Sequence, residues 1–256
     1  MKSVFITGAA QGIGLATART FAKNGWKVGL FDIDGDQVKR LLSEPEFSSA
    51  CGGYCDVTNL KSVSQAMSTF SEHCSGEMHA LINNAGVLFS GDFSEMESEK
   101  IDSTIAVNIG GLTRVAHQAF PFLKQTSNSV MVNICSASSI YGIPAIAVYS
   151  ASKFYVRGLT EALNIEWARH DIHVCSIKPP YVKTAMFDDA PSEAKKKSPA
   201  EYSPQQIAEM IFDATSNKKV ATLVGAKVKI WDWVVRAFPY SLGKPMTKSV
   251  SGYEKE

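Results

Sequence analysis

The sequence predicts an α/β fold: a Rossmann-type doubly wound parallel sheet of about seven strands, with helices on both faces, in a single domain. Three observations predict it. A glycine-rich turn at Thr7 to Gly14 joins a short apolar strand to an amphipathic helix. Short β-branched runs then alternate with helical patterns along most of the chain. Finally, 256 residues at 45% hydrophobic content fit one large α/β domain with a sizeable core.

Ser3 to Thr7 is a strand of β-branched and aromatic residues, and Leu15 to Asn24 is a helix stopped by Gly25. Between them, the glycines let the backbone turn tightly, and the helix N-terminus offers free N–H groups to a pyrophosphate. Trp26 to Phe31 forms the second strand and ends at Asp32, where a ribose-binding acid is expected. A carboxylate accepts from ribose hydroxyls and repels a 2′-phosphate. Gln11 and Ile33 beside it are uncharged, so NAD is expected over NADP.

The alternation continues with a helix over Asp36 to Leu42, a glycine-weakened strand over Ala50 to Cys55, a helix capped by Asn59 and running to Cys74, and a strand over His79 to Asn83. Strand ends at Thr7, Asp32, Asp56, Asn83 and Ser136 then line one rim, where ligands collect in such sheets. Asn83 to Gly86 is a small polar turn at that rim, suited to a cofactor lying close to the backbone; for Asn83 a structural tie between strands competes with that reading. Ser98 to Lys124 is helical but broken at Asn108 to Gly111, where each glycine costs about 1 kcal/mol against alanine. Asn108 either holds a water next to the site or tolerates a bend.

Ser129 to Cys135 reads as a buried strand, and Ser136 follows it. With Tyr149 opening a helix, Lys153 falls one turn later on the same face, an ammonium beside a phenol. A fixed positive charge pulls a phenol down from its ordinary value of ~10 toward the working range, and the Ser136 hydroxyl can donate to an oxygen that gains charge. The chemistry is proton transfer to or from an alcohol or carbonyl oxygen. The helix runs to Arg169, the next strand is His173 to Lys178, a helix begins at Ser203 and ends near Ala214, and Lys219 to Val224 is the last strand.

Composition excludes several classes. A net charge of +1 gives no basic field for nucleic acid. Cys51, Cys55, Cys74, Cys135 and Cys175 are scattered and odd in number, which suits reduced core thiols and a cytoplasmic protein. The five histidines form no ligand cluster, so no metal is expected, and the absence of a GxSxG elbow disfavours a hydrolase. No signal peptide and no bilayer-spanning run are expected.

Thr7 to Gly14, Asn83 to Gly86, Asn108, Ser136 and Tyr149 to Lys153 occur in the order and spacing of the short-chain dehydrogenase/reductase family, which the chain resembles in its common single-domain form over roughly Lys2 to Val224. The resemblance implies hydride transfer between a nicotinamide cofactor and a secondary alcohol or ketone. It makes Tyr149 the general acid/base, Lys153 the residue that binds the nicotinamide ribose and lowers the tyrosine pKa, Ser136 the group that orients the substrate oxygen, and Asn108 the holder of a relay water. Gly8, Gly12 and Gly14 would carry the pyrophosphate turn, with Gln11 and Ile13 beside them. Asp32 would take the adenosine ribose, Asp56 and Val57 the adenine, and Asn84, Ala85 and Gly86 the adenosine-side ribose and cofactor backbone. Pro179, Val182 and Thr184 would meet the nicotinamide end. The resemblance also implies a homodimer or homotetramer built on the Tyr149 to Arg169 helix and the one before it.

One departure stands out: the family usually has Pro-Gly where this chain has Pro179 and Pro180. Proline removes an N–H and forbids positive φ, so the nicotinamide end must be rebuilt locally. That keeps open an NAD(H)-binding sensor or scaffold without turnover, beside an NADP-dependent carbonyl reductase. Residues 1–225 are expected to form the dinucleotide-binding catalytic domain, with a substrate lid over about 181–203 that carries the Lys195 to Lys197 run. Residues 226–256 form an aromatic extension. Leu88, Phe89, Ile140, Tyr141, Ile143, Tyr181, Met186 and Phe187 are candidate pocket walls, pointing to a small neutral or lipophilic substrate. For the extension two readings compete: a cap on the pocket or a subunit interface, or peripheral membrane contact with Trp and Lys at the headgroups.

Overall fold

The computed structural model describes residues 1–188, 195–196, 199–217, 219–237, 244 and 247. The expected lid therefore falls partly outside the described residues, at 189–194 and 197–198, as does nearly all of the extension beyond 237.

Seven strands, β1 (Ser3–Thr7), β2 (Lys27–Asp32), β3 (Cys51–Tyr54), β4 (Ala80–Asn83), β5 (Ser129–Ile134), β6 (Ile172–Lys178) and β7 (Ala221–Leu223), form one sheet in the order β3-β2-β1-β4-β5-β6-β7. Every pairing is parallel. The order reverses between β1 and β4, which places the crevice at the ends of Thr7 and Asn83. Alternate residues of β1 serve the two faces. Val4 and Ile6 join a core with Val28, Leu30 and Ile82, while Phe5 joins Phe31, Leu81 and Met131 on the other side. β1 is fully buried, so its middle, Val4 to Ile6, is apolar and the hydroxyls at its polar ends, Ser3 and Thr7, are hydrogen-bonded.

The helices are α1 (Gly12–Lys23), α2 (Gly35–Leu42), α3 (Leu60–Cys74), α4 (Ser98–Ile105), α5 (Leu112–Gln125), α6 (Ala147–Trp167), the single turn α7 (Ala185–Asp188), α8 (Pro204–Ala214) and α9 (Ala226–Ala237). Two starts follow from capping chemistry. The Asn59 side chain accepts from the Lys61 and Ser62 amides at the head of α3, and Ser203 with Gln206 closes a reciprocal capping box at the head of α8. On the α3 face, Phe5 stacks on Phe31 with centroids 4.4 Å apart and meets Phe70 edge-on at 5.4 Å. Gly29 makes that cluster fit, since a Cβ there would lie 2.5 Å from Phe70 Cδ2. Each buried phenylalanine contributes about 1.5–3 kcal/mol, so Gly29→Val would trade this packing for overlap.

Between α4 and α5 the backbone widens into one π-helical stretch, Ala106–Gly111, and the expected irregularity falls there. The start of the extension is ordered as α9. Its Val228 and Trp231 pack on Ala137 and Ile140, with Tyr141 and Ile143 alongside, while Ile230 and Trp233 face outward. Ile140, Tyr141 and Ile143, expected as pocket walls, thus spend apolar surface on α9. Among the described residues no helix is long and apolar enough to cross a membrane, and no metal-ligating cluster occurs.

Candidate active site

The site forms at the C-terminal rim of the sheet. After β1 the chain turns through Gly8 at φ 65° and Gly12 at φ 56°, conformations that suit glycine, and enters α1. Gly14 is required for a different reason. A Cβ there would sit 1.9 Å from the Gly8 carbonyl oxygen and 2.7 Å from Asn84 Nδ2. Asn84 clamps the turn: its Nδ2 donates to the carbonyls of Thr7 and Gly8, both at 2.9 Å, and Thr7 Oγ1 accepts from the Asn84 and Ala85 amides at 3.0 and 3.1 Å. Gln11 supplies no side-chain cap to α1, and no acidic residue stands in its first turn. The helix therefore presents uncapped N–H groups and its positive dipole end at the crevice, a cradle whose chemistry fits a pyrophosphate.

Asp32 ends β2 with one oxygen accepting from the Ala10 amide at 2.9 Å and the other from the Asp34 amide at 3.0 Å. Each oxygen keeps a lone pair for a ribose hydroxyl. Asp56 spends one oxygen on Thr58, at 2.8 Å to its amide and 2.7 Å to its hydroxyl. Val57 is buried, and its carbonyl accepts from Arg114 at 3.1 Å. Thr184 Oγ1 lies 3.3 Å from the Val182 carbonyl, and a Cβ on Gly12 would come within 3.4 Å of the Thr184 methyl. Thr184, one of the residues expected at the nicotinamide end, thus lies against the glycine turn. Val182 is pinned by a bridge to Tyr202. Pro179 offers its carbonyl to the Ala137 amide at 2.9 Å, so the doubled proline is tied directly to the residue after Ser136.

Asn83 follows the structural reading, donating from Nδ2 to the Leu112 carbonyl at 2.9 Å. Asn108, in the π-helical stretch, is hydrogen-bonded through its side chain. Its Oδ1 accepts from the Val87 amide at 2.8 Å, while Nδ2 donates to the Val87 carbonyl at 2.9 Å and reaches Ser152 Oγ at 3.2 Å. Asn108 thus ties the rim loop to the π-helical stretch and α6 through its side chain. Gly86 lies against it, a Cβ there being 3.2 Å from Asn108 Oδ1.

Ser136, Tyr149 and Lys153 converge. Ser136 leaves β5 with an extended backbone and accepts from the Ser138 amide at 3.1 Å, and its hydroxyl lies near enough to the Tyr149 phenol to draw the phenol pKa down. Lys153 is one turn along α6, almost fully buried, with Nζ 5.4 Å from the Tyr149 ring centroid and donating to the Ile134 carbonyl at 2.9 Å. Its pairing with Tyr149 on one helix face holds; the expected acidity does not. Tyr149 is only partly exposed, and burial drives the phenol pKa above its ordinary value, outweighing the lowering influence of Ser136. Burial likewise pushes Lys153 down. The lysine spends its ammonium on a carbonyl and does not offset the phenol's desolvation in this arrangement.

Tyr181, expected as an apolar pocket wall, carries a polar feature besides: its hydroxyl is buried and meets no partner among the described residues, and the ring leans on Phe187 with centroids 5.4 Å apart. A cavity of about 470 Å³ also opens at the opposite edge of the sheet, lined by Lys2, Trp26, His79 and His173, but none of the residues above reaches it.

The short chain dehydrogenase family model matches residues 2–195. The chain is 32% identical to the oxidoreductase UcpA of Salmonella typhimurium over 204 residues, covering 77% of this chain and 76% of that protein. Its fold matches the 3-ketoacyl-(acyl-carrier-protein) reductase of Brucella melitensis complexed with NADH, with a TM-score of 0.78 and 26% identity over 87% of this chain and 96% of that one. It also matches an alcohol dehydrogenase of Thermococcus sibiricus complexed with 5-hydroxy-NADP, with a TM-score of 0.77 and 25% identity over 88% and 96%.

Proposed function

This chain belongs to the short-chain dehydrogenase family of oxidoreductases, and from that premise we propose that it transfers a hydride between NAD(H) and a secondary alcohol or ketone. The convergence of Ser136, Tyr149 and Lys153 at the rim carries the reading. A bound nicotinamide supplies the hydride. Tyr149 holds the proton delivered to the carbonyl oxygen in reduction and takes it back in oxidation, while the Ser136 hydroxyl donates to that same oxygen. Lys153 would hold ribose hydroxyls and keep positive charge beside the phenol. Asn108 fixes the rim through Val87, and Asn84 fixes the glycine turn.

Asp32 supports NAD over NADP: its carboxylate faces the ribose end, and the exposed Ile33 beside it offers no positive charge to a 2′-phosphate. Apolar residues exposed on α4 and α6, Ile105, Phe154 and Tyr155, support self-association through these helices, as a homodimer or homotetramer. Residues 1–225 serve as the catalytic domain. The packing of α9 on the turn after Ser136 favours the cap reading of the 226–256 extension over the membrane reading.

Tyr149→Phe tests the function. Against a panel of alcohols and ketones, followed by NADH absorbance, the variant should lose about 10²- to 10⁴-fold in kcat with NADH affinity unchanged. The second reading, an NAD(H) sensor without turnover, draws on Pro180. It prevails if the wild type binds NADH and turns over nothing.

A further inference from the structure

We propose that Tyr181 is a substrate-positioning residue whose phenol donates to a second oxygen of the substrate, so that the preferred carbonyl compounds carry another acceptor near the reacting carbon. The proposal rests on the oxidoreductase reading and narrows its substrate class.

The Tyr181 hydroxyl is enclosed, yet no described group meets it. Buried hydroxyls in folded proteins are nearly always paired, so an orphan at the edge of a ligand site is a position waiting for a ligand atom. Its location is fixed from two sides. The Pro179–Pro180 pair restricts the backbone just before it, and the Pro179 carbonyl is tied at 2.9 Å to Ala137, the neighbour of Ser136. Phe187 supports the ring. Tyr181 is close enough to Tyr149 for charge on the one phenol to be felt by the other.

Burial raises the Tyr181 pKa, so at neutral pH it is a donor. Ser136 and Tyr149 between them claim the reacting oxygen, which leaves the Tyr181 proton for an oxygen one or two carbons away. A simple ketone offers none and leaves the phenol unmet. An oxo ester or hydroxy ketone satisfies both positions, and a site built to hydrogen-bond an oxygen discriminates against the analogue lacking it.

Tyr181→Phe removes only the oxygen and keeps the ring against Phe187. Full-length wild type and variant are compared on methyl 3-oxobutanoate and 2-heptanone, two ketones with equal numbers of non-hydrogen atoms, with NADH binding titrated separately. The wild type should favour the oxo ester. The variant should lose about 3- to 10-fold in kcat/KM on the oxo ester and less than about twofold on the plain ketone, the loss of one neutral hydrogen bond. Equal change on both substrates, or weakened NADH binding, assigns the phenol to packing or cofactor and overturns the proposal. A wild type active on both ketones without preference overturns it while leaving the oxidoreductase reading intact. Inactivity on both counts against that reading, and this proposal falls with it.

Discussion

Replacing Asn108 with alanine separates two roles for a side chain that sequence alone leaves ambiguous. Asn108 is 1% exposed and makes three contacts, to the Val87 amide, the Val87 carbonyl and Ser152 Oγ, at 2.8, 2.9 and 3.2 Å. Alanine removes all three and leaves a small cavity beneath the rim. At a net value near 1 kcal/mol per bond the cost is about 2–4 kcal/mol, at the lower end if water enters to meet Val87. For a chain of this length that lowers the Tm by about 5–15 °C. Because Val87 follows the Asn84 to Gly86 segment, NADH affinity should fall together with stability. Differential scanning fluorimetry with and without NADH, beside steady-state turnover, reads all three quantities. An Asn108→Ala protein that melts with the wild type and binds NADH normally, yet turns over slowly, would refute this reasoning and restore a relay role for the side chain.

Two further outcomes follow from the packing of the crevice and the core. Gly14→Ala should cost about 1–3 kcal/mol by urea unfolding and weaken NADH at least about tenfold, because neither the Gly8 carbonyl nor the clamped Asn84 can yield to a Cβ; an unfolding midpoint equal to wild type argues against it. The Cys175 thiol is pushed by burial from 9.0 to about 12, so its stabilising contribution is complete below pH 9 and lost as pH rises toward 12, with about 1 kcal/mol gone by pH 10. Lys153 and Lys178, lowered by burial, titrate in the opposite sense, so the measurement is a difference: between pH 8 and 10, Cys175→Ala should lose about 1 kcal/mol less than wild type, and parallel losses would contradict the assignment.

The layout of the sheet was legible because its signals are local. Short apolar runs give the strands, the Asn59 cap starts α3, and the Ser203 box starts α8, each within a few residues of its cause. The site's residue positions were legible as well, since a four-residue spacing on one helix places Tyr149 and Lys153 together. What they do to one another was not. The acidity of Tyr149 depends on how far distant segments bury it, and no spacing reports that. Likewise Asn108 finds partners 21 and 44 residues away, and Tyr181 is orphaned by the absence of a partner, which leaves no mark on a sequence. The apolar stretch Ile140 to Ile143 was compatible with pocket wall or core, and only the placement of α9 against it decides.

That placement reaches further. The segment carrying Ser136 is bound to Pro179 on one side and backed by Val228 and Trp231 on the other. A helix that contributes no reacting atom therefore braces the floor under the serine. Changing Trp231 for a smaller residue would let that floor settle and shift Ser136 with it, although Trp231 lies outside the candidate site.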